Sequence, residues 1–335
     1  MKPISFGLRL LAPWVVIFFL ASVPEVLAKD KDDVQSVYGA THPSTFALYA
    51  LDPDLIAGWN TLLRDYEKKF IAKKYHNLPV LGGWYGEGFT PDYEMLLASK
   101  LSKVLYLDND YHDKMEISKN FKKLGLKVIK IPGGLLETPE SFREMGKAFN
   151  RKERGEALAA YAEEALAKVK AVVSKLNKSQ KPTIYFGQEA DGLSTVCRNS
   201  PRSLTLELAG SLNVHNCLSG MKNSVLHITF EQLLAYDPDI ILIDNPKLAA
   251  NIPRHPLWSH LRAVQAGQVY LVPRGPFSWL ERPATYMRLI GLQWLTGILH
   301  PNIYPIDIKA ETKKFMRLFF QLEMTNEDVE ELLTR

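Results

Sequence analysis

The chain has 335 residues, with 41 lysines and arginines against 37 aspartates and glutamates and an apolar share of 46%. So small a basic excess excludes a nucleic-acid footprint and a polybasic membrane patch. The length and composition are those of a globular protein with room for two domains, each with its own core.

Lys2 and Arg9 precede an apolar run over residues 10–20, and Val26-Leu27-Ala28 precedes the charged segment 29–33. This order predicts a secretory signal peptide over 1–28, cut after Ala28, because the apolar run is shorter than the ~20 residues that span a bilayer. No cysteine follows the run to be acylated. The mature chain is therefore expected to be soluble, exported to the periplasm and unattached to the membrane.

A β-rich run at 34–38 feeds the turn Gly39-Ala40-Thr41-His42-Pro43-Ser44-Thr45, which suits a loop at the carboxyl end of a sheet. Short helical pieces are expected at 47–51 and 55–63, and a second strand at 79–84 runs into a glycine-rich loop ending at Gly88. A helix at 93–101, a strand at 103–107, a helix at 115–124 and a strand at 127–131 complete the first half. Strands alternating with helices predict a mostly parallel sheet covered by helices.

From Arg151 to Leu176, apolar residues (Leu158, Tyr161, Ala162, Ala165, Val169, Val172, Val173) recur at helical spacing, with Gly155 as the one weak former. About 25 residues in one helix would reach ~38 Å. Such a helix either packs on the flank of one domain or acts as a strut between two. The pattern restarts beyond it, with strands at 182–186, 240–243 and 268–272. Helices are expected at 203–210, 229–236, 257–263, 285–299 and 309–322, which favours the strut.

The two halves echo one another. Tyr93-Glu94-Met95-Leu96-Leu97 precedes the strand at 103–107, and Phe230-Glu231-Gln232-Leu233-Leu234 precedes the strand at 240–243. Each half thus carries one glutamate at the same place, beyond what solvated carboxylates at helix starts require. The two cysteines, Cys197 and Cys217, are expected to pair as a disulfide in an exported chain, with a thiolate metal site as the alternative.

These pieces, in this order, resemble the substrate-binding proteins of bacterial ABC importers for siderophores, cobalamin, haem and other metal chelates. The residues that carry the resemblance are Gly39-Ala40-Thr41, the long helix, Asp191-Gly192-Leu193-Ser194-Thr195, the segment 230–241 and Arg282-Pro283-Ala284 followed by Gly291-Leu292-Gln293-Trp294-Leu295. The resemblance implies an α/β fold of two Rossmann-like lobes with mostly parallel sheets joined by a single long α-helix. Its divisions would be 34–150, 151–177 and 180–335. It further implies a metal-chelate ligand held between the lobes, no cofactor, a bridged Cys197–Cys217 pair and a monomer. Glu94 and Glu231 would dock on an ABC permease dimer that works with its ATPase.

By their placement on strand-end loops, Thr41, His42, Ser44, Trp84 and Tyr85 in the first lobe are expected to touch ligand. In the second lobe the candidates are Asp191, His215, Asn216, Phe277, Trp279 and Arg282. Aromatic rings could stack on a flat chelate and Arg282 could pair with an oxyanion. Core packing for the aromatics and an ion pair with Glu281 for Arg282 are the structural alternatives. There is no Gly-x-Ser-x-Gly elbow, Walker loop or His-Glu-x-x-His helix, so an exported hydrolase or metalloenzyme on the same scaffold is the weaker reading. A binding lobe that reports to a sensor is a third.

Overall fold

The computed structural model describes residues 36–84, 90–108, 117–217 and 225–334. The expected signal peptide and Tyr85 lie outside the described residues. The elements of the first half are β1 (Val37–Gly39), α1 (His42–Leu51), α2 (Asp65–Lys68), α3 (Tyr93–Ala98), β2 (Lys103–Asp108), α4 (Ile117–Lys123), β3 (Val128–Pro132) and α5 (Thr138–Ala148). The long helix α6 (Lys152–Val173) follows. After it come β4 (Thr183–Gly187), β5 (Ser194–Val196), α7 (Leu204–Leu208), β6 (Leu212–Asn213), β7 (Val225–His227), α8 (Phe230–Tyr236) and β8 (Ile240–Ile243). The chain ends with α9 (Pro246–Asn251), α10 (Arg262–Gln265), β9 (Val269–Leu271), α11 (Met287–Leu299), α12 (Ile308–Phe320) and α13 (Asn326–Thr334).

Two parallel sheets result, one ordered β1-β2-β3 and the other β6-β4-β8-β9. Parallel strands are covered on both faces, so their sequences read as unbroken apolar runs. Ile240, Ile241, Leu242 and Ile243 are all buried. The fold is the α/β architecture of two lobes with a helical backbone. The antiparallel pair β5-β7 was not expected. Residues 56–59, expected as helix, instead run extended, with Ile56 bridged to Val37 and Trp59 to Val80. Pairing with distant backbone outweighed the local pattern there.

The long helix is shorter than its periodicity suggested. α6 has 22 residues, which gives ~33 Å. Past Val173 the bonds tighten to three-residue spacing, with Leu176 N–H on the Val173 carbonyl, so Leu176 falls outside. Gly155 sits where α6 meets α5, facing Gly146.

α6 is not a free-standing strut. The Arg154 guanidinium donates to the Ala50 carbonyl of α1 at 2.9 Å and also to the Leu318 carbonyl of α12. α12 thereby returns to the first sheet's side, where Phe320 stacks near Tyr49 of α1, centroids 6.2 Å apart. One hydrophobic core runs continuously through α1, α5, α6, α11 and α12. Among the described residues no helix is long and apolar enough to cross a membrane.

Candidate ligand cleft

Because each sheet is parallel, its strands end on one edge: Gly39, Asp108 and Pro132 in the first, Gly187, Ile243 and Leu271 in the second. The loops beyond these edges meet. Phe277 stands edge-on to both Phe46 and His42 of α1, at 4.4 and 4.8 Å, and the Tyr286 hydroxyl donates to the Phe46 carbonyl at 3.2 Å. These contacts form a floor between the two sets of strand-end loops, and the space beyond it is the candidate cleft.

At that floor lies a cavity of about 30 Å³. It is lined by Pro43 of α1, Thr138 and Ser141 of α5, and Thr285, Tyr286 and Arg288 at the start of α11. Three helices therefore present their first turns to one small space, and each helix start carries a partial positive charge of ~0.5.

The expected ligand residues fall into distinct places. Thr41 caps α1, its Oγ1 accepting from the Ser44 N–H, while the Ser44 hydroxyl accepts from the Leu107 N–H at 3.0 Å. Both are buried and serve to pin the α1 turn onto β2. Trp84 is buried edge-on against Phe121, and Trp279 is wholly buried with its indole N–H on the Gly275 carbonyl. Neither indole offers a face for stacking. Arg282 is paired with Glu281 at 3.2 Å and points outward, its side chain 64% exposed. Glu281 itself is buried and also accepts from Arg202 and from Gln188 Nε2.

Asp191 accepts from the Leu193 N–H and from His227 Nε2 at 2.9 Å, on the exposed surface. His215 is buried, with Nδ1 at 3.0 Å from the Tyr236 hydroxyl, and neighbours the disulfide joining Cys197 and Cys217. Asn216 is exposed beside it. These three lie on the β5-β7 side of the second lobe, and none of them lines the floor cavity. At the end of β8, burial pushes the Asp244 carboxyl up to about 6, against the opposing pull of Arg274 at 3.9 Å.

Sequence reasoning missed Arg288, Thr138 and Ser141. Arg288 sits in an apolar helical run, where periodicity alone cannot say that a lone cation points inward. Thr138 and Ser141, in the first turn of α5, carry no signal of a shared site in the sequence.

His42 behaves as part of the floor. Burial presses its imidazole down to about 3, with Arg64 adding to the effect. The unfolded chain takes up this proton near pH ~6.5 and the folded chain does not. The stability that neutral His42 allows is therefore intact above about pH 6.5 and is lost as pH falls towards 3. The expected result is that His42→Gln flattens the fall of Tm between about pH 7 and 5. A slope equal to the parent's would show that the imidazole is not held neutral.

The docking candidates are matched in local structure as well as in sequence. Glu94 and Glu231 are each the second residue of a short helix, α3 capped by Asp92 and α8 capped by Thr229, and both are exposed. In each case the next leucine but one inward is buried (Leu96, Leu233 are at 0%), while Leu97 and Leu234 stand 57% and 44% exposed beside the carboxylate.

Comparison with known proteins agrees with this geometry. A family model described as periplasmic binding protein matches residues 90–275. An ABC transporter solute binding protein from Sulfurospirillum deleyianum DSM 6946 is similar at 31% identity and TM-score 0.84, over 91% of this chain and 95% of that one. The molybdate-bound periplasmic protein MolA of Haemophilus influenzae shares the fold at 18% identity and TM-score 0.66, over 88% of this chain and 95% of its own. Among curated proteins, the Fe(3+)-citrate-binding protein YfmC of Bacillus subtilis (strain 168) is 26% identical over 218 residues, 62% of this chain. The chain spans 65% of the length of that relative. With parallel sheets in two lobes, a helical backbone between them and a family model matching more than half of its length, the chain belongs to the periplasmic binding protein family.

Proposed function

We propose that the protein is the exported substrate-binding component of an ABC importer, which captures a metal chelate between its lobes and delivers it to a permease dimer. The observation that carries this reading is the matched pair Glu94 and Glu231, one on each lobe, on equivalent capped helices that each run into a buried strand. Two exposed carboxylates on a body tied together by a shared core keep a fixed separation. Such a pair suits register and steering on a partner with complementary cations more than raw affinity.

The lobes are divided at 34–150 and from 180 onward with 151–177 between them, α12 packing back against α1 of the first lobe, and the mature chain begins after Ala28. Cargo in the ferric citrate class is favoured by the curated relative. His42 and Phe277 pack together in the floor, Asp244 stands just past the end of β8, and the disulfide joins Cys197 and Cys217 in the second lobe. No feature of the site favours the hydrolase reading.

Calorimetry with ferric citrate, haem, cobalamin, a nickel chelate and molybdate tests the reading. Micromolar or tighter binding of at least one is expected. Silence across the whole panel would remove the capture function.

A further inference from the structure

We propose that Arg288 is the seat of an oxyanion group of the cargo, either a carboxylate arm of a chelate or a free inorganic oxyanion, held in the cavity at the cleft floor. The inference rests on the capture reading above and names the chemistry that the floor selects.

Arg288 is 6% exposed and lines the cavity. Its Nε is buried without an acceptor, and among the described residues no side chain or carbonyl accepts from the guanidinium. A buried charge without a partner is disfavoured, and proteins keep one where something else supplies the counter-charge. The nearest acids do not. Glu281 is already engaged by Arg202, Arg282 and Gln188, and Glu137 acts on Arg288 only at a distance from an exposed position. Burial accordingly lowers the guanidinium to about 10, so it stays charged at neutral pH.

The surroundings have the same sign. Pro43, Thr138 and Tyr286 bring the first turns of α1, α5 and α11 to the cavity wall, and these helices have 10, 11 and 13 residues. Their partial positive ends and the guanidinium add up to a site for negative charge. Size narrows the occupant further. A cavity of about 30 Å³ holds one or two water-sized groups, which fits a carboxylate or a small oxyanion and not a porphyrin or corrin. The rest of a larger chelate would sit above it in the cleft.

The test is calorimetry on the mature full-length protein with ferric citrate, sodium molybdate and, as a ligand without a free carboxylate, cyanocobalamin. The proteins are the parent, Arg288→Lys and Arg288→Gln, with ligand-free melting of each. The parent is expected to bind ferric citrate, molybdate or both, and Arg288→Gln to weaken that binding by about 30-fold or more, with Arg288→Lys between them. Ligand-free Arg288→Gln is expected to melt at or above the parent temperature, because it removes an unpaired buried charge; a purely structural arginine would melt lower. Binding of ferric citrate alone marks a carboxylate arm, and of molybdate alone a free oxyanion. Equal anion affinity in the parent and Arg288→Gln, or a parent that binds only cyanocobalamin, overturns the inference and leaves capture standing. A parent that binds no member of the wider chelate panel overturns capture itself, and this inference with it.

Discussion

Cells whose sole copy of the protein carries Glu94→Ala together with Glu231→Ala are expected to take up no more ferric citrate than cells lacking the protein, while the purified double variant keeps the parent Kd. The expectation follows from where the carboxylates stand. Both are exposed, in the first turns of helices that lead into the inner strands β2 and β8, and neither lines that cavity. Neither substitution removes a buried group, so folding should change by no more than ~0.5 kcal/mol. Each carboxylate lies beside an exposed leucine, Leu97 or Leu234, a combination that supplies a desolvated contact next to a charge. Single variants should lose part of the uptake, because one lobe still docks. Normal uptake by the double variant would end the docking assignment, and a weakened Kd would move the glutamates into the ligand site.

Gly155→Ala should destabilise the protein, against the usual rule for helices. Within a helix this exchange ordinarily gains about 0.5–1 kcal/mol from backbone entropy. Here the added methyl would lie 2.5 Å from the Phe142 carbonyl oxygen and 2.9 Å from the Gly146 Cα, both backbone atoms of α5 that cannot swing aside. Forcing packed backbones apart costs ~1–3 kcal/mol, so the clash outweighs the propensity gain. A fall in Tm of a few degrees is expected, at ~2–4 °C per kcal/mol for chains of this size class. The loss should be larger for Gly155→Val. A Tm that rises in Gly155→Ala would mean that α5 and α6 do not touch along this seam. The same seam bears on movement between the lobes. α5 and α6 packed at glycine contact, with Arg154 tied to both α1 and α12, form a stiff base, and rotation between the lobes on ligand binding should be small.

Much of the fold was legible because its signals are local. The parallel strands announce themselves as apolar runs, since both faces are covered. The caps Asp92 and Thr229 mark the starts of α3 and α8, and so set Glu94 and Glu231 at equivalent places. The long helix shows its period of 3.6 across several turns, and only its last turn was misjudged, where fraying leaves no mark in the pattern.

The site was less legible, for a physical reason. A cleft is made of residues far apart in the chain, and burial at each of them depends on what arrives from elsewhere. Trp84 and Trp279 read equally well as stacking platforms and as core, and packing put them in the core. Arg282, on a loop beside a motif, is held outward by Glu281, while Arg288, in an apolar helix, is the cation turned to the floor. What the sequence by itself determined is the order of strands and helices, the length of the backbone helix to within a turn and the matched glutamates, all written in spacings within single elements. Only the tertiary structure decided that α12 returns to the first lobe, that Gly155 is a seam and not a weak point, and that the starts of three helices and a buried arginine meet in one cavity. Those are meetings between separate segments, from neighbours such as α5 and α6 to parts as distant as Arg154 and Leu318, and no periodicity within a segment encodes them.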